Sequence, residues 1–467
     1  MLCRLSLPHY ATADCTAAAQ NDSMRKPSLL FVALSALATG LPAQAVWSRL
    51  YPPQSPPGRI EALMANVEST GDTMMLFGSG PSGSINDCWR FDGTTWSQVL
   101  GTLPPARGGA AMVFDANRQR LVLFGGSNGN YLQDTWEWNG AQWSNRLPTL
   151  KPPPRDLVRM AFDRRRGVTV LFSGYGQSQI LQDLWEWNGT TWSQRLPTTM
   201  PAARVGHHLA FDPANESILL FAGNDGPQHF TDTWSWDGTS WLLRTPTTVP
   251  TPHGSGRVVS DLHRRRVTLF GGDNDPFTWE WNGTQWNVLL QSSPGNRNNP
   301  TMAYDAVHRR TVLFDGYSSG QLADTWTFET PNPASAVPFG AGCAGSAGVP
   351  QLANAPYSLP WLGDTFTNRA TNLALATGGV VFATGFASTV PISLAPFGMP
   401  GCDQLVIPAT SEFRIANNGS ADWTLSIPLT VALANVHLFQ QVFALDAAAN
   451  AAGLSASNGS ELTTGIR

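Results

Sequence analysis

Few residues in this 467-residue chain stand at spacings that do chemistry. His207 and His208 are adjacent. Successive side chains on a strand point to opposite faces, so this pair does not chelate one metal ion from one strand, and a structural role is expected. Asp273-Asn274-Asp275 is acidic enough for a cation but lacks the spaced oxygen ligands of a calcium loop, and reads as a turn. The chain has no His-Glu-x-x-His, Cys-x-x-Cys or phosphate-binding loop. No catalytic residue, metal site or cofactor is therefore expected.

What remains are arginines and aromatics that recur. Arg107 opens a stretch of small residues ending in Phe114-Asp115, and matching stretches begin at Arg59, Arg155, Arg204, Arg257 and Arg297. Arranged in a ring, these six would surround a channel mouth and accept anions. Alternatively each forms an ion pair with a recurring acid: Asp87, Asp134, Asp183, Asp232 or Asp324. The ion pair is the stronger reading, because a residue repeated in every unit serves the unit. A second set, Arg164-Arg165-Arg166, Arg264-Arg265-Arg266 and Arg309-Arg310, reads as solvated turns. Ligand specificity belongs where the units differ. The most variable loops carry Tyr131, Tyr175, His229, Phe230 and Tyr317, which are the expected binding residues.

The elements that position these residues are repeats. Asp134-Thr135-Trp136-Glu137-Trp138-Asn139-Gly140-Ala141-Gln142-Trp143 recurs at 183–192 and 232–241, and with changes at 87–96 and 279–286. A sixth copy begins at Asp324 and stops after Phe328. The first Trp of each copy stands at 89, 136, 185, 234, 279 and 326, a period of 45 to 49 residues that suits four strands and their turns. Each copy reads as the Arg stretch, an apolar run ending in Gly, a variable loop, the Trp-x-Trp strand, an Asn-Gly hairpin and a strand opened by Trp. Asn-Gly suits a type I′ turn, in which both central residues take positive φ.

These residues resemble kelch repeats: a strand ending in Gly-Gly, intact at Gly125-Gly126 and Gly271-Gly272, then spaced aromatics, about fifty residues per copy. The resemblance implies an all-β fold, a six-bladed β-propeller over roughly 46–330. The sixth copy lacks its outer strand, and Trp47-Ser48-Arg49-Leu50 matches that strand. Blade six is thus expected to be closed by the N-terminal strand. Counting Trp47 fills eighteen aromatic positions, sixteen with Trp and two with Phe91 and Phe328. Kelch propellers include copper oxidases such as galactose oxidase, whose site wants Tyr, His and a Cys cross-linked to Tyr. Cys88 alone falls in this propeller, and no motif of that family is visible.

Met24-Arg25-Lys26, an apolar run from Ser28 to Leu41 and Ala43-Gln44-Ala45 read as a signal peptide at 24–45, cleaved after Ala45 and preceded by an upstream segment. The apolar run is short for a bilayer span. The mature chain is therefore expected without a transmembrane segment, secreted or at the cell surface, as a monomer. Cleavage removes Cys3 and Cys15. Export permits a disulfide, and Cys343 with Cys402 is the expected pair because both lie beyond the repeats; Cys88 reads as a buried free thiol. Residues 331–338 read as a linker and 339–467 as a small β-sandwich-like domain, with strands near 378–387, 423–429 and 437–445. Its Cys343 and Cys402 surroundings resemble an uncharacterised β-rich tail of secreted bacterial proteins. A net charge of −4 argues against a nucleic-acid partner. The function expected is non-catalytic binding of a glycan or protein partner. The alternative is a polysaccharide-active hydrolase, lyase or galactose-oxidase-like enzyme at the propeller mouth.

Overall fold

The computed structural model describes residues 45–466, apart from 252–253, 273–274, 291–292, 332, 357 and 375–378. The leader at 24–44 with Cys3 and Cys15, residues Asp273 and Asn274 of the candidate turn, and Gly378 of an expected strand lie outside the described residues.

Six four-stranded antiparallel sheets follow one another along the chain, the arrangement of a β-propeller. In the second, Ala111–Asp115 is innermost, followed outward by Arg120–Phe124, Thr135–Trp138 and Trp143–Arg146. The innermost strands of the others are Leu63–Val67, Arg159–Asp163, His208–Asp212, Arg257–Asp261 and Thr301–Asp305. In the sixth sheet the outer strand is Val46–Leu50, antiparallel to Thr325–Glu329 with Trp47 opposite Phe328. The two ends of the repeat region therefore meet in one sheet.

The hairpin between third and outer strands differs from the type I′ turn expected. It spans four residues, and only the glycine takes positive φ, 95° at Gly140. The Asn139 side-chain oxygen instead accepts the backbone N–H groups of Ala141 and Gln142, both at 2.9 Å. That chemistry needs only an oxygen one carbon from Cβ, which is why Asp92 and Asp237 stand in two of the sheets. Burial opposes ionisation of Asp237, but the N–H and hydroxyl donors of Ser240 and Thr239 carry its carboxyl down to about 2.

Neighbouring sheets are tied by the tryptophan that opens each outer strand. Its indole N–H donates to a threonine opening the third strand of the sheet before it: Trp192 to Thr135 at 2.9 Å, Trp286 to Thr233 at 3.1 Å, Trp47 to Thr278 at 2.8 Å and Trp96 to Thr325 at 2.9 Å. In the remaining two pairings Cys88 and Leu184 occupy the threonine position. The indole nitrogens of Trp143 and Trp241 are there buried without an acceptor. Cys88 is a buried free thiol as expected, pushed up to about 12 by burial and by the neighbouring Asp87.

The tail begins earlier than the sequence suggested. Ser335–Phe339 is not linker but a strand paired with Leu454–Thr463, and Ala334 before it is fully buried. That strand edges a five-stranded sheet completed by His437–Leu445, Gly379–Gly385 and Thr410–Ile415. A three-stranded sheet, Gln351–Asn354, Thr365–Thr371 and Ala421–Ser426, shares its core through Phe366, Trp423 and Leu425 against Phe382, Leu438 and Val442. Cys343 and Cys402 form the expected disulfide. The tail touches the propeller where first strands turn into second strands: the Trp361 indole donates to the His263 carbonyl at 2.7 Å, and Arg309 donates to the Ala334 carbonyl.

The uneven tryptophan pairing predicts opposite effects of two substitutions. Thr233→Val strands the Trp286 indole and is expected to cost about 1–3 kcal/mol in denaturant unfolding. Leu184→Thr supplies the acceptor that Trp241 lacks, and is expected to lose less than Thr233→Val or to stabilise. Equal losses would show that these hydrogen bonds do not tie the sheets.

Candidate functional site

Five of the six recurring arginines are buried and paired with an aspartate. Arg155 donates to both oxygens of Asp183 at 2.5 and 2.7 Å, to the Ser173 carbonyl at 3.1 Å and to the Pro153 carbonyl at 3.0 Å. The Trp185 indole donates to the same carboxylate at 2.8 Å. Arg59 with Asp87, Arg107 with Asp134, Arg204 with Asp232 and Arg297 with Asp324 repeat the unit. The guanidinium thus bridges the approach to the innermost strand, the end of the second and the start of the third. These side chains are 0–4% exposed, so they are not an open anion-accepting ring.

Arg257 does not belong to this set. In the other sheets the paired arginine precedes the last residue of the innermost strand by eight positions: Arg107 and Asp115, Arg155 and Asp163, Arg204 and Asp212. Counting back from Asp261 gives His253, which lies outside the described residues. Arg257 is the first residue of its strand, equivalent to Arg159 and His208. The compensation in this sheet is visible at Trp279, whose indole donates to Asp275 at 3.1 Å because Phe277 replaces the usual acid.

The second arginine set is not a row of solvated turns. Arg166 donates to Asp163 at 2.6 Å and Glu186 at 2.5 Å, and Arg264 pairs with Asp261 and Glu280, both at 2.6 Å. Glu186 also accepts the Trp236 indole of the next sheet at 3.2 Å. Arg164 pairs with Glu68.

All six innermost strands line one cavity of about 120 Å³. Their first residues are Leu63, Ala111, Arg159, His208, Arg257 and Thr301, and their second residues form an apolar belt of Met64, Met112, Met160, Leu209, Val258 and Met302. An outer cavity of about 250 Å³ shares Leu63, Arg159 and Arg257 and reaches the rim at Glu61, Leu157 and Asn299. These three residues hold left-handed backbone, φ 59°, 49° and 49°, where Gly109 and Gly206 stand in other sheets. Such conformations cost side-chain-bearing residues on the order of 1–3 kcal/mol each. The adjacent histidines separate as expected: His207 is fully buried edge-on against Phe172, and its imidazole is held well below its ordinary value by burial. His208 lines the throat.

The variable-loop residues divide. Tyr131 and Tyr175 come together, with ring centroids 6.1 Å apart, and Tyr175 bridges Asp156 at the rim. Tyr317 is exposed on the equivalent bridge of the sixth sheet, and His229 is exposed in the fourth. Phe230 packs inward: its ring covers the Arg204 guanidinium, 4.1 Å from centroid to carbon, and its backbone N–H closes the loop on Gly223. Burial raises the Asp156 carboxyl, with Glu61 adding to the effect, and one Asp156 oxygen is buried with no hydrogen-bond partner. The sequence reading missed Arg159 and the place of Arg257. The strand-ending Asp would have supplied the register.

Among the described residues no group of three or more His, Cys, Asp or Glu side chains is placed to hold a metal ion. The family model described as the KLHDC2/KLHL20/DRC7 Kelch-repeats domain matches residues 64–272. No curated protein matches the chain.

The paired acids predict the acid limb of stability. Burial opposes ionisation of Asp134, Asp232 and Asp324, but hydrogen bonds and charge from their arginines and tryptophans carry each carboxyl below its ordinary value. Their stabilisation is present above the unfolded carboxylate value of about 3.9 and is lost as pH falls through the lower folded value. The melting temperature is expected to hold between pH 7 and about 5 and to drop below about 4. Asp134→Asn should cost about 3 kcal/mol at pH 7 and lose part of that acid dependence.

Proposed function

We propose that this kelch-repeat protein is an exported, non-catalytic scaffold that binds an extracellular glycan or protein on the propeller face opposite its tail. The observation that carries the reading is the division between the two faces. One meets the tail through Trp361 and Arg309. The other carries the variable loops, the Tyr131–Tyr175 pair and the cavity mouth. Variable loops on a scaffold whose blades are internally stapled are where recognition concentrates.

The ring is read as six blades closed by the N-terminal strand. Supporting this are the pairing of Val46–Leu50 with Thr325–Glu329, the Trp47 hydrogen bond to Thr278, and the proximity of innermost strands Leu63–Val67 and Thr301–Asp305. Export is read from the basic start, apolar run and Ala43-Gln44-Ala45 site. No helix among the described residues is long and apolar enough to cross a membrane.

Three measurements test these readings. The mature protein recovered outside the expressing cell should begin at Val46; retention with an intact leader would reject export. Deleting residues 46–52 should lower the melting temperature sharply, whereas an unchanged curve would reject closure by that strand. A glycan and protein array run beside turnover assays should give binding without product. Tyr131→Ala with Tyr175→Ala should reduce that binding at least tenfold, and undiminished binding would place the ligand elsewhere.

A further inference from the structure

The throat below the rim is chemically one-sided. Sheets three, four and five present Arg159, His208 and Arg257, while sheets six, one and two present Thr301, Leu63 and Ala111. The two arginines differ from the five stapled ones in their partners. Arg159 Nη1 donates to the Val158 carbonyl at 3.1 Å, and its Nε is buried with no acceptor. Arg257 Nη1 donates to the Gly256 carbonyl at 2.8 Å. Neither has a carboxylate within ion-pair distance among the described residues.

Asp315 and Glu61 lie near enough to favour the charge of Arg257, but neither stands within ion-pair distance of it. Burial and the charge of Arg257 press the Arg159 guanidinium below its ordinary value, while Glu61 acts the other way from the rim. Asp315 is the remaining nearby acid. Burial pushes its carboxyl well above its ordinary value, although Arg257, Arg59 and Arg297 oppose the shift, and both its oxygens are buried without a hydrogen-bond partner. Two guanidiniums therefore face a cavity whose other walls are Leu63, Ala111 and the methionine-rich belt. Guanidinium stays charged at any ordinary pH, and a buried charge without a partner is costly until an anion arrives.

We propose that this throat is an oxyanion pocket that takes the acidic group of a saccharide, a uronate carboxylate or a sulfate ester, between Arg159 and Arg257. The inference rests on the reading of this face as the binding face. Arginine is the residue suited to such groups, because its planar fork matches their oxygens. A saccharide fits the rim better than an acidic peptide does. At the rim Tyr131 and Tyr175 bring two rings together, and Tyr175 bridges Asp156, the neighbour of Leu157 on the outer cavity wall.

The test is calorimetric titration of the full chain with trigalacturonic acid, its methyl ester, neutral galactotriose, sulfated galactotriose and a glutamate-rich peptide. Binding is expected for the carboxylated or the sulfated sugar, whichever the site prefers, at least tenfold tighter than for the neutral sugar or the ester. Arg159→Gln and Arg257→Gln should each weaken it at least tenfold, while Arg257→Lys should retain more than Arg257→Gln. Because each Gln variant removes one of two unneutralised charges, its melting temperature should not fall, which separates lost affinity from lost folding. Equal binding of acid and ester, preference for the peptide, or no binding of any probe overturns the pocket. If both Gln variants bind a sugar normally while the Tyr131 and Tyr175 variants do not, the binding face stands and the oxyanion pocket falls.

Discussion

The rest of the propeller depends on one buried interaction, the arginine that enters each blade and the carboxylate it holds. In five blades a guanidinium with almost no solvent contact is neutralised by a bidentate aspartate and finishes its hydrogen bonding on backbone carbonyls. A buried charge paired in this way is not a large source of net stability, but its loss is expensive because the partner stays behind. Its effect is on geometry. The three segments it joins converge at the rim that carries the variable loops, so the loops there hang from fixed points. Phe230 shows how far this extends, since a loop aromatic is pinned flat over the Arg204 guanidinium.

A second tie works between blades, and its irregularities are informative. The tryptophan-to-threonine hydrogen bond is made where threonine opens the third strand and is absent where Cys88 or Leu184 stands there. Both unpaired indoles remain in the core, at Trp143 and Trp241, packed among apolar neighbours. The apolar contact of the ring therefore suffices to keep the position, and the hydrogen bond adds to it. The same bond links Trp47, from the start of the described chain, to the fifth blade, so the N-terminal strand takes part in the common interface chemistry.

Much of this was legible in sequence because it repeats. The period, the missing outer strand and the Arg–Asp pairing all follow from matching copies against one another, and the disulfide from two cysteines that lie beyond the copies. Repetition also misled where a copy departs from the rest. Arg257 was aligned with the stapling arginines because it is the nearest arginine, although the strand-ending Asp261 puts it four residues further along. The hairpin looked like type I′ from its Asn-Gly letters, yet the side-chain cap that sets it is equally open to aspartate. The arginine clusters at the turns looked solvated because three adjacent charges usually are. Their partners, Glu186 and Glu280, lie on third strands some twenty residues away, a separation that no local pattern reveals. The throat was invisible for a related reason: its members are one residue from each of six strands, brought together only by the ring.

These departures separate the positions the fold uses for itself from those it leaves variable. Positions common to all blades are consumed by stapling, tying and capping, and so are unavailable to a ligand. The positions that vary without a structural replacement are the first residues of the innermost strands and the tips of the second-to-third-strand loops. Both sets open on the same face, because a strand that starts at the rim and a loop that returns to it share an end of the blade. The end of the propeller away from the tail therefore carries both the arginine-lined throat and the tyrosine pair. The tail, by meeting the propeller at the turns of the opposite end, leaves that surface as the face where variable chemistry is accessible.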